Sequence, residues 1–457
     1  MSNSAFSDLD HHVESSRPRF EADLQLLVEI PTVSMDPAHK PDIQRGAEAA
    51  ASVLRSCGAT ARVVPTEGNP VVVGELVSDP KHPWLTVYNH MDVQPADEPT
   101  WRSDPFKMQI DEDKYIGRGS TDDKGPGLTA LYAARYAREH GVPLNVRFLW
   151  ELEEEIGSPS FEGMVKAELP RLRTDSVLVS DTIWIAKGRP AVPYGLRGVQ
   201  GFTIRLETGA KNTHSGLTGG PARNPVAEIA GLVAKMMDPD TGKVKIPGFY
   251  DDVRPLGKKE KASFAASGFN VARYKQAHEL RSLRTDNAAE VMKRIWALPT
   301  FEIHGISGGY HGPGVKTIVP GSGELKITMR LVPNQTPEKA FALLKKYVSK
   351  INPSVKVEPE GMLHPFKGSF KGPYVDCVKR ASMAAFGKEP AFIREGGSIG
   401  AMVTMQKAWM VPILFLGLSL PEHGYHAPNE YFDWGQASGG MKAFSHYFAE
   451  LAKMGKG

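Results

Sequence analysis

Five short stretches of this chain carry imidazole or carboxylate groups in patterns that suit chemistry. His90 and Asp92 stand two apart in Asn89-His90-Met91-Asp92, Asp122 and Asp123 are adjacent, Glu153, Glu154 and Glu155 form a run, Asp181 follows Ser180, and His423 and His426 lie near the C-terminal end. Singly, each has a plain structural explanation: a lone histidine is usually a surface or core residue, paired aspartates cap helices, and a glutamate run solvates a face. Jointly they do not, because so many carboxylates in one cleft repel one another unless cations neutralise them. Cys57 and Cys377 are the only thiols, too few for a thiolate site, so a metal here must use nitrogen and oxygen ligands. Such ligands suit zinc, manganese or cobalt, and two histidines with three carboxylates is the count for two ions sharing one carboxylate. Paired ions of that kind acidify a shared water and favour hydrolysis.

The elements that would position these groups follow an α/β rhythm. Apolar residues recur at helical spacing from Pro18 to the break at Ile30-Pro31, and a second helix is expected over 43–55. β-like runs at 61–65, 71–77 and 85–89 precede a hairpin-like pair at 106–110 and 115–118, a helix over 124–140, and apolar runs at 146–150 and 177–179 that end in acids. Alternation of this kind predicts a mixed, largely parallel sheet flanked by helices, with ligands beyond the carboxyl ends of its strands. Near Leu196-Arg197-Gly198 the pattern changes to alternating strands and Pro-initiated helices, an α+β order with an antiparallel sheet. From Lys371 the first rhythm resumes with strands near Phe392 and Ile413. The expected organisation is a catalytic domain in two parts, 1–195 and 361–457, interrupted by an inserted lid and dimerisation domain over 196–360.

With 55 basic and 52 acidic residues among 457, the net charge of +3 offers no phosphate-tracking stripe, and nucleic acid is not an expected partner. The apolar run 411–420 is broken by Pro412 and Gly417 and is half the length that spans a bilayer, so no membrane partner is expected. The first ten residues lack a basic patch followed by an apolar stretch, which makes cytoplasm the default expectation.

Asn89-His90-Met91-Asp92-Val93-Gln94-Pro95, the 117–125 stretch Gly-Arg-Gly-Ser-Thr-Asp-Asp-Lys-Gly, Glu154-Glu155-Ile156-Gly157-Ser158, Ser180-Asp181, Thr213-His214-Ser215-Gly216 and Arg394-Glu395-Gly396-Gly397-Ser398 together resemble the M20 family of dinuclear metallopeptidases. The likeness is to its cytosolic nonspecific dipeptidase and carnosinase-like branch. It implies that His90 and Asp181 hold one divalent ion, Glu155 and His426 the other, and that Asp122 bridges them and is joined to Asp123 by a cis peptide. Asp92 would orient the His90 imidazole, and Glu154 would be the general base acting on a water that bridges the ions. Zinc is the first expectation for the metal, manganese or cobalt the alternatives. His214 and Thr317 would reach from the lid into the partner subunit's site, His214 polarising the scissile carbonyl, which makes the expected enzyme a homodimer. Arg330, Ser398 and the backbone of Gly397 would grip the substrate's C-terminal carboxylate, and Glu395 its free amine. Two departures stand out: Asn89 occupies a position where the family usually has glycine, and 364–374 matches the branch poorly.

The expected reaction is hydrolysis of a dipeptide's peptide bond, with an N-acyl amino acid deacylase or a carboxypeptidase using the same site as alternatives. Gly396-Gly397-Ser398-Ile399-Gly400 also fits a nucleophile elbow, with Asp433 and His446 completing a serine-hydrolase triad in chain order. That reading leaves the acidic clusters unexplained. A non-catalytic metal scaffold would have no need of the base at Glu154.

Overall fold

The computed structural model describes residues 6–455. Its main sheet has six strands in the order Thr60–Val64, Val71–Leu76, Asn145–Glu151, Trp84–His90, Ser176–Val179 and Ile413–Phe415. The first three are joined antiparallel and the last four parallel, so the sheet is mixed. Asn145–Glu151 is buried at every position, as expected of a strand with both faces covered. Leu9–Val28, Gly125–Glu139, Pro373–Phe386 and Trp434–Met454 pack as a helical layer, and Lys40–Ser56 covers the first two strands. Gly127 lets Gly125–Glu139 sit close to the end of Trp84–His90, since a Cβ there would stand 3.1 Å from that of Asn89.

A second, wholly antiparallel sheet runs Thr300–Ser307, Ser322–Leu331, Gly198–Glu207, Lys356–Leu363. Helices Pro225–Met236, capped by Asn224, and Pro337–Ile351, capped by Thr336, supply its own apolar core with Phe202, Ile204, Leu325, Met329 and Leu344. The pairing of Lys356–Leu363 with Gly198–Glu207 continues to Leu363, past residue 360.

Three features depart from the sequence expectations. The first helix begins at Leu9 rather than Pro18, and Pro18 lies inside it. The carbonyl its missing N–H leaves free is four residues back at exposed Glu14, where solvent can bond it. The strand Ala391–Glu395 does not join the main sheet; it pairs with Ala191–Leu196, which in turn pairs with Phe366–Lys367, in a separate three-stranded sheet. Finally, the segment 256–297 leaves the second sheet and packs on the main core. Phe264, Met292 and Trp296 belong to that core, with the Phe264 and Trp296 rings 5.0 Å apart, and Glu260 accepts hydrogen bonds from Arg394 and, at 3.1 Å, from Tyr194. Among the described residues no helix is long and apolar enough to cross a membrane.

Candidate metal centre

The strands end where the acids begin. His90 is the last residue of Trp84–His90, Glu153 to Glu155 follow Asn145–Glu151, and Asp181 follows Ser176–Val179. Asp122 arrives from the turn after Gly119, whose φ of 86° lies in the left-handed region that glycine adopts freely, and its peptide bond to Asp123 is cis. His426 comes from the loop after Ile413–Phe415; its own φ of 55° is left-handed without being glycine, a conformation held by its surroundings.

Asp122 lies between the two imidazoles. Its Oδ1 is 3.0 Å from His90 Nε2 and its Oδ2 3.1 Å from His426 Nε2. Glu155 Oε2 is 3.3 Å from His426 Nε2, and Asp181 Oδ2 is 3.9 Å from His90 Nε2. Donor atoms of His90, Asp122 and Glu155 lie within 4.8 Å of one another, as do those of His90, Glu154 and Asp181. His90 Nδ1 is 3.0 Å from the Asp92 carbonyl. If Nδ1 donates there, the neutral ring turns the lone pair of Nε2 toward another acceptor, Asp122 Oδ1. In that tautomer acceptor faces acceptor unless Nε2 carries a proton or meets a cation, and a divalent ion takes the proton's place.

The electrostatics agree. Burial drives the Glu154 carboxyl well above its usual range, and the charges of Asp181 and Glu155 add to the shift against the opposing pull of His90. Burial likewise pushes Asp181 up to about 7 and raises Glu155. Asp122 goes the other way: burial works against it, but hydrogen bonds from His426 and His90 hold it far below the carboxylate range. His90 and His426 are correspondingly raised despite burial, His426 to about 11. The donor set is thus all nitrogen and oxygen, crowded with carboxylates and, among the described residues, without a lysine or arginine ion pair to His90, Asp122, Glu155, Asp181 or His426; it fits two divalent ions.

Residues around the ligands hold this centre in shape, and of these Glu430 carried no sequence signal. Glu430, fully buried, receives the backbone N–H groups of Gly119, Thr121 and Asp122 at 3.0, 3.0 and 3.1 Å on Oε1, and Arg118 at 2.8 Å on Oε2. It therefore fixes the turn that presents Asp122. Asp92 takes the N–H groups of Glu154 and Glu155 at 3.2 and 3.0 Å, so its carboxylate pins the glutamate turn, while its Oδ1 is 3.5 Å from His90 Nδ1 and its carbonyl is the nearer partner of the ring. Gln94 donates to Glu155 Oε2 at 2.7 Å. Glu153 accepts from the N–H groups of Asn69 and Ser160, a structural use of a carboxylate outside the metal cluster. Asn89 donates to Asp123 Oδ2 at 2.6 Å and to Ser180, which gives the unexpected amide a place.

His423 is not in the cluster. It is buried between Thr121, the Leu420 N–H and Asp433, 3.2 Å from the Asp433 carboxylate. The serine-hydrolase arrangement fails with it: Asp433 is held by His423, His446 lies against Phe6 with ring centres 5.3 Å apart, and Ser398 bonds the Arg197 carbonyl and, at 2.9 Å, Arg330.

Arg330 and Ser398 thus meet, beside Gly397. Glu395 lines a cavity of about 950 Å3 together with Gly397 and Tyr425; its buried Oε2 has no partner, and burial raises its carboxyl to about 8. Tyr425 reaches toward Asp181, its hydroxyl 3.5 Å from Oδ1. His214 and Thr317 lie in a two-stranded ribbon of the second unit, Thr213–His214 paired with Ile318–Val319. The His214 imidazole accepts the Gly216 N–H, and no hydrogen bond or ion pair among the described residues links it to the cluster.

Mixed sheet, antiparallel unit and a donor set suited to divalent ions define a metallopeptidase architecture, and the chain belongs to peptidase family M20/M25/M40, whose model matches residues 86–450. Among its relatives it is 33% identical to the human Beta-Ala-His dipeptidase over 84% of this chain and 78% of that one. It is 30% identical to the Cys-Gly metallodipeptidase dug1 of Schizosaccharomyces pombe over 97% of both chains. The solved structure of the di-peptidase Dug1p from Saccharomyces cerevisiae superposes with a TM-score of 0.89 at 29% identity, covering 99% of each chain.

Proposed function

We propose that this metallopeptidase is a dipeptidase that works with two divalent ions, zinc in the first instance, in the cytoplasm. His90 and Asp181 would hold one ion, Glu155 and His426 the other, and Asp122 both. The observation that carries the reading is the position of Asp122, each of whose oxygens faces a different imidazole. When bound, the ions supply Lewis-acid polarisation of a carbonyl and lower the pKa of water. Glu154, half-buried among these groups, accepts the proton of the attacking water and returns it to the leaving amine. Arg330 and Ser398 take the substrate's C-terminal carboxylate, with the Gly397 backbone beside them. The partnerless carboxyl of Glu395 favours a free ammonium group over an N-acyl chain, because an ammonium would satisfy it and an acyl amide would leave it buried and unpaired.

In this reading 1–195 and 361–457 form the catalytic domain and 196–360 the lid and dimerisation domain. The exposed ribbon carrying His214 and Thr317 serves the partner subunit's site, where the imidazole donates to the developing oxyanion. The test is turnover of Ala-Gly against N-acetyl-Ala-Gly by protein stripped of metal and reloaded with zinc, manganese or cobalt, with metal content measured on the same samples. The expected result is two ions per chain and cleavage of the free dipeptide alone. Equal cleavage of the acetylated compound would assign the site to N-acyl amino acids instead.

A further inference from the structure

Beside the Arg330–Ser398 pair lies a second cavity, of about 570 Å3, to which no role has been given. Arg197, Lys243, Arg284 and Arg294 stand on its wall, against a single carboxylate, Glu302. Arg294 is tied to Glu290 and the Thr241 carbonyl. Arg197, Lys243 and Arg284 have no ion pair among the described residues.

Arg197 joins this cavity to the substrate grip. Its backbone N–H donates to the Gly397 carbonyl and its Nε to that of Gly396, both at 3.0 Å, and its carbonyl accepts from Ser398. Arg197 also lines the cavity, and its buried Nη1 has no hydrogen-bond partner. Tyr274 and Ile295 line both this cavity and the one that holds Glu395 and Gly397, so the two are neighbours across one wall. Burial and the nearby Arg330 charge bring the Arg197 guanidinium down to about 10. A buried cation that repels its neighbour and has a donor to spare is stabilised by an incoming anion.

We propose that this cavity is the subsite for an acidic side chain on the substrate's C-terminal residue, so that the enzyme prefers dipeptides ending in glutamate or aspartate. The inference rests on the dipeptidase reading, which puts the C-terminal carboxylate on Arg330 and Ser398. Arg197, bonded through its carbonyl to Ser398, connects that grip to the cavity wall on which Lys243 and Arg284 stand, and both of these are exposed. Rim charges act through solvent, so the preference weakens as salt rises.

The experiment compares Ala-Glu with its neutral isostere Ala-Gln on the metal-loaded full chain. The expected ratio of kcat/KM is roughly ten-fold in favour of Ala-Glu, carried by KM, and reduced at 0.5 M salt, about the ionic strength at which exposed charges are strongly screened. In Lys243→Gln/Arg284→Gln the ratio falls toward one, and in Arg284→Glu it inverts in favour of Ala-Lys. Both positions are exposed, so the variants fold. Equal turnover of Ala-Glu and Ala-Gln by the unaltered enzyme, or a ratio that survives the double substitution, overturns the subsite and leaves the dipeptidase reading intact. Cleavage of no dipeptide at all overturns that reading and this inference with it. Non-competitive inhibition of Ala-Gly turnover by inorganic phosphate would assign the cavity to a free anion and overturn its role in substrate choice.

Discussion

Glu430 is buried and Glu154 half-buried, each within one turn of a proposed metal ligand, yet the two carboxylates do different work. Glu154 has two oxygens free for chemistry; those of Glu430 are consumed by backbone N–H groups and a guanidinium. Glu154→Gln should therefore leave metal content unchanged and lower kcat by roughly 10²- to 10⁴-fold, the range a general base contributes. Glu430→Gln should do the opposite in part. An amide offers one acceptor oxygen where four donors converge, the Asp122 turn loosens, and metal affinity should fall by about 10- to 100-fold, the usual effect of disturbing a ligand's support. Competition with a chelator of known affinity reads this directly, and a variant with full affinity would show that the turn holds Asp122 without Glu430. The two glutamates also mark the limit of legibility at this scale. The proposed ligands and base were named from motifs that resemble those of a known family, in residue types whose chemistry suits metal and proton. A carboxylate that collects backbone N–H groups leaves no such trace, which is why Glu430 escaped notice, Glu153 stood among the candidates without a role of its own, and His423, a good ligand by type, lies outside the cluster.

At the level of elements, the strands that carry the centre were legible from apolar runs ending in acids. Trp84–His90 and Asn145–Glu151 extend only a residue or two beyond their expected bounds. What was not legible is which sheet a short strand joins, because Ala391–Glu395 has the same apolar character whether it pairs with Ile413–Phe415 or with Ala191–Leu196. The segment 256–297 was similarly opaque. Its helices are short, and the residues that anchor it, Phe264 and Trp296, are recognisable as a pair only once folded. Since Tyr274 and Ile295 from this segment wall both cavities, loosening it should affect substrate binding more than metal binding. Phe264→Ala should cost about 3 to 5 kcal/mol of stability if the cavity does not collapse. It should raise KM for dipeptides while metal stoichiometry stays at two, as thermal melting, kinetics and elemental analysis would show. A rise in KM with no loss of stability would mean that Phe264 is not the anchor.

Across the whole molecule, the centre stores an electrostatic cost that metal removes. Without ions, the folded state keeps protons on Asp181, which titrates at about 7, and on Glu154 and Glu155, also raised, whereas the unfolded chain releases them near 4. Between those values the folded state binds more protons than the unfolded, so stability falls as pH rises. Chelated protein should therefore lose Tm, by roughly 5 °C or more, between pH 4.5 and 7. Ions that bind only the folded state offset this, most strongly at the upper end of the range because binding displaces protons. A metal-free protein whose Tm is flat across that range would mean that these carboxylates are not crowded in solution.

The parts of the centre are far apart along the polypeptide. Glu430 closes on a turn 308 residues earlier, and His426 supplies one side of Asp122 from the same late stretch. As the chain leaves the ribosome N-terminal end first, His90, Asp122, Glu155 and Asp181 all emerge before either of these is available. A nascent chain halted ahead of residue 426 would display four ligands with nothing to orient Asp122 and no second imidazole. With the proposed ligands, the full complement of ions can be held only once the chain has been made past residue 430, and shorter products lack part of the site.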